Sequence, residues 1–444
     1  MKTKIYQHLL FGSLIFCAFT GITSCSDDDA AAPVPTLDIT TDTGTNTVMQ
    51  LDTIRLTAEA QNAIISQYDW QIDGQTVSTQ AECDFTQTRP GSYTLSLTAT
   101  SEDGNQLNAT TQIEVTDRFV NGVFVLNEGN MSNETGTLTY ISNEGILTDS
   151  AYYRINGAFL GNVCQDLFIT DGKIYIISQN GARNGGEGLL TIAKAGSLEK
   201  MQVYNDDAQT LSWPSNIAVV NKDIYLRDNA GIYRLELENN TLTFVDGTSR
   251  AKKARMAVIG NKVFTMNGQK IQVIENGTVS ADIELPGTPS GIARSYDDML
   301  WASCSSPAQI LKINPDDYTI EAHNISEGGL SMGWGVAPAF AATSDTLYYS
   351  NAGFNLYRHV FSQNKTEFVT NIQEGLPDAK MYYNSLGVNP SNGQVIFATI
   401  KGYGMDYLTN DVAVFNFQKN PPMIHDFKNV NSFPAGVYAT AYFK

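Results

Sequence analysis

Side chains able to hold a ligand gather in three polar stretches of this chain. The first is Asn127-Glu128-Gly129-Asn130-Met131-Ser132-Asn133-Glu134-Thr135-Gly136. The second runs from Ser178 to Gly188 (SQNGARNGGEG), the third from Lys401 to Asp411 (KGYGMDYLTND). Trp213, Trp334, Tyr382 and Tyr383 stand elsewhere, each just ahead of a short apolar segment. Aromatic rings supply flat, rigid contact area, and Asn and Arg supply orienting hydrogen bonds. Asn127, Asn180, Arg183, Trp213, Trp334, Tyr382, Tyr383, Tyr403 and Tyr407 are therefore the candidate ligand-binding set. The chemistry they offer is non-covalent capture of a large, flat, polar-edged molecule.

Plainer roles compete for several of these residues. Trp213 precedes a proline and could fill a gap between structural units. Tyr382 and Tyr383 cannot both face inward on a strand, so one of them is structural. The glycines at 181, 185, 186 and 188 are followed by no helix and no Lys-Ser/Thr, so a phosphate loop is poorly supported. Asp406 and Asp411 could mimic paired catalytic carboxylates, but on a loop they read as a solvated turn. No catalytic residue is assigned, and the chain is expected not to be an enzyme. His8, His323, His359 and His425 are scattered without ligand spacing, and no metal is expected.

The amino terminus directs the chain out of the cell. Lys2 and Lys4 precede an apolar run, Leu9–Phe19, that suits a signal peptide and is too short to span a bilayer. Gly21-Ile22-Thr23-Ser24-Cys25 resembles a lipobox, with Cys25 as the lipid anchor; an ordinary signal peptide with a chance cysteine is the alternative. Residues 1–24 are then the signal peptide and 25–35 a tether, since Ser26–Pro35 has too little apolar surface to fold. The acidic run after Cys25 resembles the surface-export signal of Bacteroidetes lipoproteins. That implies an outer-membrane protein displayed at the cell surface and bound to the membrane only through its lipid; a periplasmic position is the alternative.

Composition narrows the partners. The 444 residues carry a formal charge of −18. Losing Lys2 and Lys4 with the signal takes this to −20, which repels nucleic acid and anionic headgroups. Cys83, Cys164 and Cys304 show no CxxC spacing and read as small buried hydrophobes. Only 17% of residues are charged, beside 36 glycines, 21 tyrosines and 20 phenylalanines, a composition of short strands and tight turns.

The elements that would position the candidate residues form an all-β chain. Residues 36–117 contain a Tyr68-Asp69-Trp70 strand and an alternating Gly91-Ser92-Tyr93-Thr94-Leu95-Ser96-Leu97 strand. They resemble the PKD-type, immunoglobulin-like sandwich, with Trp70 and Tyr93 in its core. From residue 118 a repeat appears, with steps from the high thirties to about 50 residues. Ile174-Tyr175, Ile224-Tyr225, Val263-Phe264, Leu300-Trp301, Leu347-Tyr348 and Ile396-Phe397 each follow a turn. Small residues recur ahead of them, as in Pro289-Ser290-Gly291 and Pro434-Ala435-Gly436, where strands would crowd an axis. The count predicts a seven-bladed β-propeller over residues 118–444. Six blades start near 162, 213, 253, 288, 332 and 383. Residues 119–153 and the C-terminal strand share the seventh. The polar stretches and aromatics then converge on one mouth.

Residues 119–444 also resemble a known family. Gly122–Asn130 (GVFVLNEGN) followed by Gly136–Tyr140 (GTLTY), then Asn384–Gly393 and Pro434–Val437, are similar to the YncE-like "surface layer protein" propellers of Bacteroidetes that carry the DUF5074 domain. That family includes surface lipoproteins that capture vitamin B12 and other corrinoids above an outer-membrane transporter. The resemblance implies a corrinoid as the ligand, with no resident cofactor, and a TonB-dependent transporter as the partner. Capture of another cargo (a siderophore, haem or a glycan) is the second reading, and a propeller lyase or hydrolase the third.

Overall fold

The computed structural model describes residues 33–332, 338–351, 353–383, 385–402 and 409–442. They form a two-sheet sandwich followed by seven four-stranded sheets. One sheet of the sandwich joins Thr36–Thr41, Thr53–Gln61 and Glu82–Thr86. The other joins Thr47–Met49, Gln106–Thr116, Gly91–Ser101, Ile65–Ile72 and Gln75–Ser78. Period-two alternation turns Ile54, Leu56, Leu95 and Leu97 inward onto a fully enclosed Trp70. The Trp70 indole N–H donates to the Gln80 carbonyl at 2.9 Å. The Tyr93 hydroxyl donates to the Arg89 carbonyl at 2.9 Å, four residues upstream.

Each of the seven following sheets is a propeller blade. The innermost strands are Cys164–Thr170, Asn216–Val220, Ala257–Ile259, Pro289–Arg294, Phe340–Ala342 and Leu386–Asn389 for blades 2 to 7. Second strands are sandwiched between neighbouring blades and bury both faces. This is why their aliphatic–aromatic pairs, such as Ile224-Tyr225 and Val263-Phe264, are all enclosed. Blade 1 takes Gly122–Asn127, Thr137–Ser142 and Leu147–Thr148 from one end of the propeller sequence and Pro434–Ala439 from the other. Val437 pairs with Val125 and Tyr438 with Phe124, so the ring closes without open inner edges.

A polar bolt crosses the axis at this closure. The Tyr438 hydroxyl donates to Asp166 Oδ1 at 2.7 Å, from blade 1 to blade 2. Arg255, at the start of blade 4, lies 3.9 Å over the Tyr438 ring and donates to the Val437 carbonyl at 3.2 Å. A Cβ at Gly436 would come within 1.7 Å of Arg255 Nη2 and 2.8 Å of the Tyr438 hydroxyl oxygen, so a larger residue there would push the Arg255 head off the closing strand.

Sandwich and propeller are firmly joined. Arg118 donates to the Gln50 carbonyl at 3.0 Å, to Asp52 Oδ1 at 2.7 Å and to Thr148 Oγ1 at 3.0 Å. The fully buried Gln50 side chain donates to the Ser197 carbonyl at 3.0 Å, and Leu51 packs onto the core of blades 1 and 2. Residues 196–199 form the turn between the third and fourth strands of blade 2. In an antiparallel blade that turn lies at the end away from the connection to the next inner strand. The sandwich therefore holds the propeller from the face opposite the predicted mouth. Thr36 pairs with Gln61, and Thr41 with Leu56 nearer the joint, so the described chain begins at the sandwich's far end.

Candidate functional site

Two sets of loops meet at the mouth: those leading into inner strands and those joining second to third strands. Between them lies an open cleft of about 460 Å³. Blade 1 contributes Glu128 to Met131 and Phe433; blade 2 contributes Val163, Gln165 and Gln179; Lys253 and Tyr383 come from the loops leading into blades 4 and 7.

Glu128 is the hub. Its Oε1 accepts the Tyr383 hydroxyl at 2.9 Å and the Gln165 amide at 3.0 Å. Burial pushes its carboxyl up to about 7, against the hydrogen bonds from Tyr383 and Gln165 and the charge of Lys253. Burial and the neighbouring carboxylate raise the Tyr383 hydroxyl well above the usual tyrosine value. The Tyr383 ring packs on Phe433 with centroids 4.8 Å apart. Lys253 is half-buried, and burial lowers its ammonium. Among the described residues it forms neither a hydrogen bond nor an ion pair. The cleft thus sets a carboxyl acceptor and an unpaired ammonium donor among the apolar walls of Met131, Val163 and Phe433. That arrangement suits groups such as primary amides, which both donate and accept.

The loop carrying Glu128 is fixed by buried amides. Asn130 Oδ1 accepts the Ser132 and Asn133 N–H groups at 2.8 and 2.9 Å. The fully buried Asn162 donates to the Asn130 carbonyl at 2.6 Å and also bonds the Glu134 carbonyl. Asn180 donates to Asn162 Oδ1 at 2.7 Å, so it acts on the cleft through Asn162.

The candidate residues separate accordingly. Tyr383 lines the cleft and Asn180 braces it. Asn127 does not face it: as the last residue of its strand it is fully buried, and it donates to Thr137 Oγ1 at 3.0 Å inside blade 1. The pleat turns the next residue, Glu128, to the mouth instead. Tyr382 packs into the core of blades 6 and 7, with its ring 5.9 Å from Phe397. Arg183 is exposed on the rim. Trp213 is 59% exposed there with a φ of 56°, an unusual conformation for a bulky residue before proline. Trp334, Tyr403, Tyr407 and Cys25 lie outside the described residues. Glu128, Gln165, Gln179, Lys253 and Phe433 were not singled out from sequence. Glu128 falls within the first polar stretch and Gln179 within the second, but Gln165, Lys253 and Phe433 carry no local signal. His323 and His359, far apart in sequence, hydrogen-bond at 3.1 Å between blades 5 and 6, away from the cleft. Among the described residues no three His, Cys, Asp or Glu side chains gather as a metal site.

Below the cleft the axial channel narrows. An upper cavity of about 70 Å³ is bounded by Gln165, Ser215, Asn216, Lys253 and Arg255, with apolar residues such as Ile292, Phe340 and Leu386 completing its wall. A lower one of about 120 Å³ opens towards the other face. Arg255 borders both, and its Nε lies 3.7 Å from Asp166 Oδ1.

Seven closed blades with a polar cleft sunk into one mouth define a seven-bladed β-propeller, here carried on a small β-sandwich. The sandwich matches a PKD-like domain over residues 33–101. Residues 121–439 match the domain of unknown function DUF5074, and the chain belongs to that family. No curated protein matches the sequence. Among solved structures, a quinonprotein alcohol dehydrogenase-like protein of Bacteroides thetaiotaomicron is similar. It is 15% identical, with 89% of this chain and 96% of that one covered and a TM-score of 0.53, and this likeness shows the fold alone. A streptogramin B lyase matches at 13% identity over 69% of this chain and 87% of its own, with a TM-score of 0.41. Virginiamycin B lyase of Staphylococcus aureus matches at 13% over 76% and 88%, with a TM-score of 0.37. Neither lyase is close enough in shape to carry an argument.

Proposed function

We propose that this chain is a non-enzymatic, lipid-anchored surface protein that captures a corrinoid at the propeller mouth and passes it to an outer-membrane TonB-dependent transporter. The observation that carries the reading is the cleft in which the Glu128 carboxyl and the unpaired Lys253 ammonium stand among Tyr383, Phe433 and Met131. A corrin ring is broad, nearly rigid and rimmed with primary amides. Its amides would bond the carboxyl and ammonium, and its apolar edge would lie against the aromatics. A preformed mouth loses little conformational freedom on binding such a ligand. The likeness of Gly122–Asn130 and Pro434–Val437 to the corrinoid-capturing surface lipoproteins supports the choice. Anchoring at Cys25 supplies the membrane attachment; no helix among the described residues is long and apolar enough to cross a bilayer.

Calorimetry on residues 33–444 with cyanocobalamin, haemin, a ferric siderophore and an oligosaccharide tests the ligand. Cyanocobalamin is expected to bind best. Tyr383→Ala is expected to weaken it by about thirtyfold, as loss of a buried aromatic anchor costs roughly 2 kcal/mol. Absence of cobalamin binding at tens of micromolar overturns the corrinoid reading.

A further inference from the structure

Basic side chains gather at the axis of an acidic molecule. The sequence is strongly acidic, at −18. Yet Lys252, Lys253 and Arg255 fall within four residues of the loop leading into blade 4, and Arg227 lies beside them in blade 3. Arg227 is buried and donates to the Ala251 carbonyl at 3.0 Å and to Ser215 Oγ at 3.1 Å, with no carboxylate among its hydrogen-bond partners. Lys252 donates to the Pro289 carbonyl at 2.8 Å.

Of the nearby carboxyls, Asp166 pairs with Arg255, its Oδ1 3.7 Å from the Arg255 Nε, and none among the described residues pairs with Lys253. Asp166 receives the Tyr438 hydroxyl, the Asn216 amide at 3.3 Å and the Ile217 N–H at 3.2 Å. Asp228 accepts the backbone N–H groups of Ser212, Ala230 and Gly231. Glu128 gives Oε1 to Tyr383 and Gln165. Lys253 retains its three N–H donors, and it borders both the mouth cleft and the upper channel cavity.

We infer that the upper channel is a seat for one oxyanion, a carboxylate or phosphate group, carried by the molecule that occupies the mouth. The cavity of about 70 Å³ holds roughly five waters at 10–15 Å³ each, enough space for one such group. Lys253 and Arg255 face it together, and the low-dielectric walls of Ala254, Ile292 and Leu386 strengthen their attraction for an anion. The body of the ligand lies in the cleft and its anionic arm points down the axis. What the body is rests on the corrinoid reading; the seat for the anion does not.

Titration of residues 33–444 with inorganic phosphate and, separately, acetate, at constant low ionic strength, tests the seat directly. Arg255 braces the closing strand, so the variant used is Lys253→Gln, which removes no hydrogen bond of the fold; Lys253→Arg is the rescue. Wild type is expected to bind at least one of the two anions in the millimolar range. Lys253→Gln is expected to weaken this at least tenfold, and Lys253→Arg to restore it. Which of the two binds more tightly identifies the arm as phosphate or carboxylate. Equal binding by wild type and Lys253→Gln, or none by wild type, overturns the seat. Cobalamin, which carries a phosphodiester, and cobinamide, which lacks it, separate the two readings. A preference for cobalamin of tenfold or more that Lys253→Gln abolishes supports both. Lys253-dependent anion binding without any corrinoid binding leaves the seat standing and removes the corrinoid. Equal binding of the two corrinoids, with no anion binding, does the reverse.

Discussion

Burial holds the Glu128 carboxyl at about 7, where a free glutamate titrates at 4.5. A carboxyl raised in the folded state is more easily ionised in the unfolded chain. Its folded form therefore has full stability below about pH 4.5 and loses it as pH rises through 7, by at most about 3 kcal/mol. Glutamine would keep an acceptor for Tyr383 and Gln165 without the charge. Glu128→Gln is thus expected to raise the melting temperature at pH 8.5 and to leave it unchanged at pH 4.5. A gain of equal size at both pH values would show that ionisation of Glu128 is not the cause. At the same scale, one residue of register separates Asn127 from Glu128. The sequence identifies the loop as mouth-facing; which of two adjacent polar residues points into the blade follows from where the strand ends, and Asn127 is its last paired residue.

At the scale of elements, the blade pattern is legible because its cause is local. A second strand buried on both faces must be apolar throughout, and an inner strand at the axis must be small, so both leave a repeating signature. The PKD-like strands are legible for a similar reason, through alternation around Trp70. The basic run Lys252–Arg255 is not legible in this way. In sequence it resembles a solvated turn, and only closure of the ring brings it to the axis beside Asp166 and Tyr438. Trp213 reads as a mouth residue, but nothing local tells that its ring stands out from the rim. The closing strand carries its own test. Tyr438→Phe removes the hydroxyl that Asp166 accepts at 2.7 Å, leaving a buried carboxylate one donor short. A loss of about 1–3 kcal/mol is expected, read as a lower denaturant midpoint with an unchanged slope. An unchanged midpoint would mean that the bolt across the axis does not hold the ring.

For the whole molecule, the joint at Gln50 and Arg118 decides which way the mouth looks. The sandwich meets the propeller on the face away from the cleft, and the described chain begins at the sandwich's far end. The nine residues Thr53–Gln61 give the sandwich a length of about 30 Å, and an inner strand with its loops gives the propeller a similar depth. Fully extended, the eleven residues from Cys25 to Pro35 reach about 40 Å at most. With lipids on Cys25, as proposed, the molecule stands like a lamp on a post, open end outward. Turning it upside down over a membrane-level transporter would need roughly 60 Å of leash. Delivery is then a matter of height: the receiving protein must rise to the lamp, or the post must lie down beside it. Removing Asp27–Ala32 is accordingly expected to leave capture of ligand by cells intact and to slow its uptake, measured with labelled ligand on intact cells. Equal uptake after that deletion would place the transfer point out at the mouth's own level, far above the bilayer.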